Sequence, residues 1–183
     1  MPEEEASRWH RGEEHVRFYA EGLVEAKERA ADKRQRPQVL KPAQMPWEDS
    51  AHGLLKHLLH EKMGTPIETV DIYMQEIAPG GQSGKHWHAA EEVMYVLEGR
   101  GYDLHWDVKP TVDERYEWKV ADEPTRWDWE QGDFVFVPIC TAHQHFNTDP
   151  ERPARIIVGK NRVFKAVGWG IVEQLEAACE QRE

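Results

Sequence analysis

The chain is poor in cysteine: 183 residues contain two, Cys140 and Cys179. Two thiols do not build a disulfide framework of the secreted kind, so stability has to come from a packed core. No apolar run approaches the length that spans a bilayer. The first residues, MPEEEASRWHRGEE, lack the apolar centre of a signal peptide. Basic charge is also in deficit, with 23 Lys and Arg against 34 Asp and Glu, a formal net charge of -11. An acidic surface repels phosphate backbones. The expectation is a cytoplasmic protein with neither a nucleic-acid nor a membrane partner, long enough for one domain with extensions.

What the chain does have is histidine in two patterned places. The first is Gly80 to Gly99, GGQSGKHWHAAEEVMYVLEG, which spaces as Gly80-x5-His86-x-His88-x3-Glu92-x6-Gly99. The second is Gly132 to Asn147, GDFVFVPICTAHQHFN, spaced as Gly132-x5-Pro138-x-Cys140-x2-His143-x3-Asn147. Residues at i and i+2 of a strand point to one face. Three imidazoles and one carboxylate from neighbouring strands can therefore converge on one metal ion. His86, His88, Glu92, Met94 and Val96 share a parity, so an unbroken strand faces them all one way.

The two segments resemble the paired signature motifs of the cupin superfamily over roughly residues 65 to 165, with Cys140 where the second motif usually has glycine. The resemblance implies a small antiparallel β-barrel, a single cupin jelly roll, with His86, His88, Glu92 and His143 as metal ligands. Cupins are commonly dimers, and a homodimer is expected here. The HWH, VMYVLEGRG and GDFVFVP segments are also similar to relatives of gentisate-type ring-cleaving dioxygenases. Those enzymes bind iron without the motif glutamate and have two cupin domains, whereas this chain keeps Glu92 and has one. Quercetin- and acireductone-type cupin dioxygenases keep the full His-His-Glu-His set.

Four protein ligands leave two positions open on an octahedral ion. Imidazole with one carboxylate suits Fe(II), Mn(II), Ni(II) or Zn(II). The favoured expectation is an Fe(II) dioxygenase acting on a small aromatic or enolic acid. The alternatives are a non-redox decarboxylase, isomerase or lyase, and a binding protein without turnover. His145, two residues beyond His143, is the candidate proton carrier beside the metal, since its ordinary pKa lies near neutrality. Met94, Cys140, Asn147, Trp127 and Trp129 are candidate substrate-pocket residues. Cys140 reads more readily as a small loop residue, and Trp127 and Trp129 as rings of an extra hairpin within residues 107 to 131. His105 shares parity with Asp103 and Asp107, away from Tyr102, Leu104 and Trp106, and is expected on the outer face. His52, His57 and His60 are expected to be solvated or at an interface.

Outside the motifs the chain reads in three parts: an N-terminal helical arm and linker (1–64), an all-β barrel (65–168) and a short C-terminal helix (169–183). Val16, Ala20, Leu23, Val24 and Ala30 recur at helical steps within 12–34, with Pro37 as a stop. Leu54, Leu55, Leu58 and Leu59 fit a second helix over 49–64; a strand from Gly53 is the alternative, and period alone does not separate the two in so short a run. From Thr65 onward, short alternating segments separated by Gly, Pro and Asp indicate strands. The final GIVEQLEAACEQRE, including Cys179, reads as helix.

Overall fold

The computed structural model describes residues 16–178. The chain divides into two units, Met1–Arg36 and Pro37–Glu183. Within the first, α1 (Phe18–Gln35) carries Lys33 and Arg34 in its last turn, where cations meet the partial negative charge of a helix end. Arg36 then turns extended, φ -71° and ψ 147°, as the residue before a proline must. The expected helix begins at residue 12; its stretch up to residue 15 lies outside the described residues.

The second unit is the expected cupin barrel. In chain order its strands are β1 (Trp47–Ser50), β2 (Gly53–Leu59), β3 (Val70–Ile77), β4 (Lys85–His88), β5 (Glu92–Glu98), β6 (Arg100–Val112), β7 (Tyr116–Val120), β8 (Thr125–Glu130), β9 (Phe134–Val137), β10 (Thr141–Asn147), β11 (Ala154–Asn161) and β12 (Val172–Glu176). A short helix, α2 (Val163–Ala166), precedes β12. One sheet runs β1-β2-β3-β11-β5-β9; the other runs β12-β4-β10-β6-β7, with β8 also paired to β6.

Two apolar clusters hold these sheets. Leu55, Tyr73, Ile77, Met94, Val96, Trp129, Val137, Ala154, Ile156 and Val158 form the core between them. Trp87, Trp106, Val108 and Ala142 form a second cluster, with Trp118, Val120 and Leu175 packed against it. Trp87 alternates with His86 and His88 along β4, so this second cluster sits on the opposite face of that sheet from the histidines. Tight turns join the pieces. Gly99, between β5 and β6, has φ 94°, and a Cβ there would lie 2.8 Å from Ala154.

Three expectations change. Residues 49–64 are not helical: β1 and β2 form a hairpin and β2 pairs along β3 from Leu54↔Glu76 to Leu59↔Ile72. The leucines meet the helical spacing, but a neighbouring strand edge satisfies more backbone groups than an isolated short helix would, and only Leu55 reaches the core. The barrel thus begins before residue 65. Gly64 still acts as the stop, at φ 67° after a 3-10 turn over Glu61–Met63. At the other end, Val172–Glu176 is a strand paired with β4, not helix, while the short helix near the C-terminus is α2; Cys179 lies outside the described residues. In 107–131 the second half of β6 pairs with β7, and Trp118 packs 5.2 Å from Trp87, centroid to centroid, as an extra hairpin would.

Candidate metal centre

His86 and His88 alternate with Trp87 on β4 and face the interior. His143 on β10 is the register partner of His86. Glu92 opens β5 in the other sheet. This corrects the single-strand reading of residues 86–96: residues 89–91 cross between sheets, so the four donors come from two facing layers. All four are buried, with Glu92 and His143 fully so. One potential ligand atom from each lies within 4.8 Å of the others. The His86 and His143 rings are 4.3 Å apart, His88 and His143 5.1 Å. Glu92 Oε2 lies 3.2 Å from His88 Nε2, and Oε1 3.7 Å from His143 Nε2.

Backbone carbonyls set the ring orientations. His88 Nδ1 lies 2.8 Å from Ala90 O and His143 Nδ1 3.0 Å from Thr141 O. A carbonyl can only accept, so each Nδ1 carries the proton and each Nε2 keeps its lone pair facing inward. His143 Nε2, Glu92 Oε1 and His86 Nδ1 are buried without a hydrogen-bond partner. Folded proteins seldom leave such atoms orphaned. A divalent cation is a partner that orphaned imidazole nitrogens and a carboxylate oxygen accept, and three imidazoles with a carboxylate are a donor set that suits Fe, Mn, Ni and Zn. The residues fit a metal.

Charge states agree with that fit. Burial, then the neighbouring imidazoles, push His86 well below the ordinary histidine range. Burial takes His143 down to about 3 against the pull of Glu92. For Glu92, burial opposes ionisation, but the ring of histidines around it outweighs burial and holds the carboxyl down at about 2. Neutral imidazoles and an ionised carboxylate are the forms that bind cations.

A second polar group lies beside the donors. His145 is fully buried, with Nδ1 3.0 Å from Asp103 Oδ1. Trp129 Nε1 donates to the same oxygen at 2.8 Å, and His105 Nε2 lies 3.4 Å from Oδ2. Burial lowers the His145 pKa, but Asp103 outweighs it and the net shift is upward. Asp103 itself is held well below the carboxylate range: its histidine and indole partners outweigh its burial. The placement of His105 and Asp103 corrects their outward assignment. They pair with His143 and His145 in register, and directly opposed residues share a face. The apolar parity of β6 marks the outer face here, because Trp106 and Val108 belong to the second cluster.

His52 is the residue that sequence reasoning missed. The β1–β2 turn puts its ring 4.2 Å from His86 and 5.7 Å from His145. Its Nδ1 lies 3.2 Å from Gly84 O, and its buried Nε2 has no hydrogen-bond partner. Burial and His145 lower its pKa to about 3. The helical reading of 49–64 hid it; a strand from Gly53 would have placed a tight turn at His52.

The candidate pocket residues separate. Trp129 is buried and reaches the site through Asp103. Trp127 is half-exposed, 6.5 Å from His105. Met94 is core. Asn147 is not a pocket residue: its Nδ2 donates to the carbonyls of Ile77, Ala78 and Arg152, and its Oδ1 accepts from Asp149 N. All its capacity fixes backbone. Cys140 leaves the pocket as well, packing against the outer cluster in the left-handed region at φ 52°. That conformation is the one glycine adopts freely, which accounts for glycine in the motif.

A cavity of about 170 Å³ is lined by His88 and Ala90 together with His60, Asp71, Lys160, Arg162, Phe164 and Trp169 among others. A larger groove of about 930 Å³, between Asp49–Leu54 and Gln75–Ser83, touches none of the four donors.

Comparison with known proteins gives a consistent fold. The barrel resembles oxalate decarboxylase from Lactobacillus farciminis, with a TM-score of 0.55 and 17% identity over 80% of this chain and 36% of that one. Oxalate decarboxylase from Bacillus subtilis gives 0.54 and 15% identity, over 77% and 33%. Capsular polysaccharide assembling protein CapF from Staphylococcus aureus gives 0.50 and 16%, over 73% and 34%. In sequence, the auxin-binding protein T85 of Nicotiana tabacum is 24% identical over 109 residues, 57% of this chain. The chain spans about half the length of that curated relative, 54%. Residues 30–166 match the family described as auxin binding protein, beginning well before the stretch in which the cupin motifs are legible. With three quarters of its length matched and its barrel folded as a cupin, the chain belongs to the auxin-binding protein family of the cupin superfamily.

Proposed function

We propose that this protein is a metal-dependent enzyme, with iron(II) held by His86, His88, Glu92 and His143 and a small aromatic or enolic acid as the substrate of an oxygenation. The observation that carries the enzymatic reading is the buried His145–Asp103 pair beside the donors. A site that only binds a ligand has no need of a titratable pair held out of water there. When bound, the ion supplies Lewis acidity and, as iron(II), electrons for dioxygen chemistry.

The chain's own residues supply the rest. Glu92 brings one negative charge to three neutral imidazoles, leaving the loaded centre cationic and attractive to an acid's oxygen atoms. His145 can take a substrate proton and return it, because Asp103 stabilises the imidazolium form. Trp129 and His105 hold Asp103 in place. The two apolar clusters keep bulk water from this polar interior.

A second reading, non-redox chemistry such as decarboxylation, draws support from the barrel's likeness to oxalate decarboxylases, one of them described by its Mn(II) centres. A binding role draws support from the relative named for binding auxin. Elemental analysis of anaerobically purified protein, with oxygen uptake measured on catechols, gentisate, salicylates and auxin, separates the three. Oxygen uptake on one class of acid supports the oxygenase. Iron-loaded protein that consumes none across the panel rules it out, and product formation without oxygen selects the second reading. The proposal extends to a homodimer, for which the exposed Phe134 and Phe136 on edge strand β9 offer a surface.

A further inference from the structure

One inward-facing cation has no task so far. Along β11, Ala154, Ile156 and Val158 are buried, and Lys160 continues their parity. Lys160 lies opposite Glu92 on β5 and Asp71 on β3, so it shares a face with a metal-donor carboxylate. It is half-buried. Among the described residues no carboxylate pairs with it. Asp71 and Glu61 are taken instead by Arg162, at 3.1 Å to Asp71 Oδ2 and in close contact with Glu61, and by Lys165 at 2.9 Å from Glu61. An ammonium partly out of water without a counter-ion is costly, and here it faces a cavity.

That cavity is the space of about 170 Å³ that His88 helps to line. At roughly 30 Å³ per water it holds a few waters or one small organic molecule. Its lining combines two kinds of residue: Lys160, Arg162 and Lys165 with Asp71 and Glu61, and the apolar Phe164, Trp169, Ile171 and Val172. Three cations against two carboxylates leave it positive in a chain of net charge -11. Arg162 is 8% exposed, and its Nη1 is buried without a partner. The polar lining therefore has donor capacity that the protein does not use.

We propose that this cavity is the approach to the metal centre and that Lys160 anchors the anionic group of a small organic acid, with the hydrocarbon part against Phe164, Trp169 and Ile171. The inference rests on the reading of His88 as a metal donor, since His88 lines the cavity, and it gives that centre a substrate class: acids whose charge sits away from the reacting atoms.

The test uses the full chain stripped of metal, so that no carboxylate–metal contact contributes, with benzoate and its neutral isostere benzamide as probes in calorimetric titration. Wild type should prefer benzoate by about tenfold or more, as a charge-assisted contact requires. Lys160→Met should abolish the preference and Lys160→Arg restore most of it, while metal content after reloading matches wild type in both. Equal binding of the two probes by wild type, no benzoate binding, or an unchanged preference in Lys160→Met overturns the inference. Should Lys160→Met lose its thermal transition, the wild-type preference and the Lys160→Arg protein decide. A wild-type protein that takes up no metal yet shows a Lys160-dependent preference removes the metal reading and leaves the anchor standing.

Discussion

At the residue scale the centre is a set of atoms that lack partners. His86 Nδ1, His143 Nε2 and Glu92 Oε1 are buried with nothing to bond, so each of the three residues should matter to metal retention. His86→Ala and His143→Ala are expected to lose most of the metal, by elemental analysis after dialysis. Glu92→Ala keeps three imidazoles and should retain a fraction. A different outcome is expected beside the donors. His145→Ala should hold metal as wild type does and lower turnover by about 10²- to 10⁴-fold, the usual share of a proton carrier; undiminished turnover would remove His145 from the reaction. The ligand spacing was legible in the sequence because HxH on a strand is a geometric statement: i and i+2 share a face whatever surrounds them. His52 was not legible, since its contribution depends on a hairpin that the leucine spacing disguises as helix.

At the element scale, strands β4, β6 and β10 lay their histidines on one side, with Trp87, Trp106 and Ala142 on the other. Their alternation was readable, but which side is interior was not. A barrel that encloses a polar site reverses the usual rule, and the apolar residues of β6 belong to a cluster behind the sheet. The same limit applies to β12, whose Glu, Gln and Leu favour helix in isolation; the free edge of β4 pairs with it and decides otherwise. Close approach inside this sheet makes Gly101 sensitive. A Cβ there would meet Phe146 O at 1.9 Å and the Trp129 ring at 2.5 Å. Gly101→Ala should shift the indole off Asp103 and cost about 1–3 kcal/mol in denaturant unfolding, as overpacking does. An unchanged midpoint would mean that β6 and β8 separate more easily than their pairing suggests.

At the scale of the whole molecule, buried neutral histidines make stability depend on pH. His52, His86 and His143 have folded pKa values below the ordinary 6.5. As pH falls below 6.5 the unfolded chain takes up protons that the folded chain refuses. Each such histidine therefore removes up to about 1.4 kcal/mol per pH unit. His145, shifted upward, acts in the opposite sense, giving stability at low pH that is lost as pH rises through its folded value. His60 is lowered too, chiefly by burial, and four against one predicts that metal-free protein melts at lower temperature at pH 5 than at pH 7, followed by circular dichroism. An unchanged melting temperature would mean that these rings are solvated, and a higher one at pH 5 that the upward-shifted His145 outweighs them. Finally, the donors come from strands of both sheets, and Glu92 and His143 are far apart along the chain. An ion joining them is a cross-link in a protein with almost no cysteine to make one. Chelators should loosen this barrel and thiol reductants should leave it intact, so its mechanical integrity follows the supply of metal and not the state of its thiols.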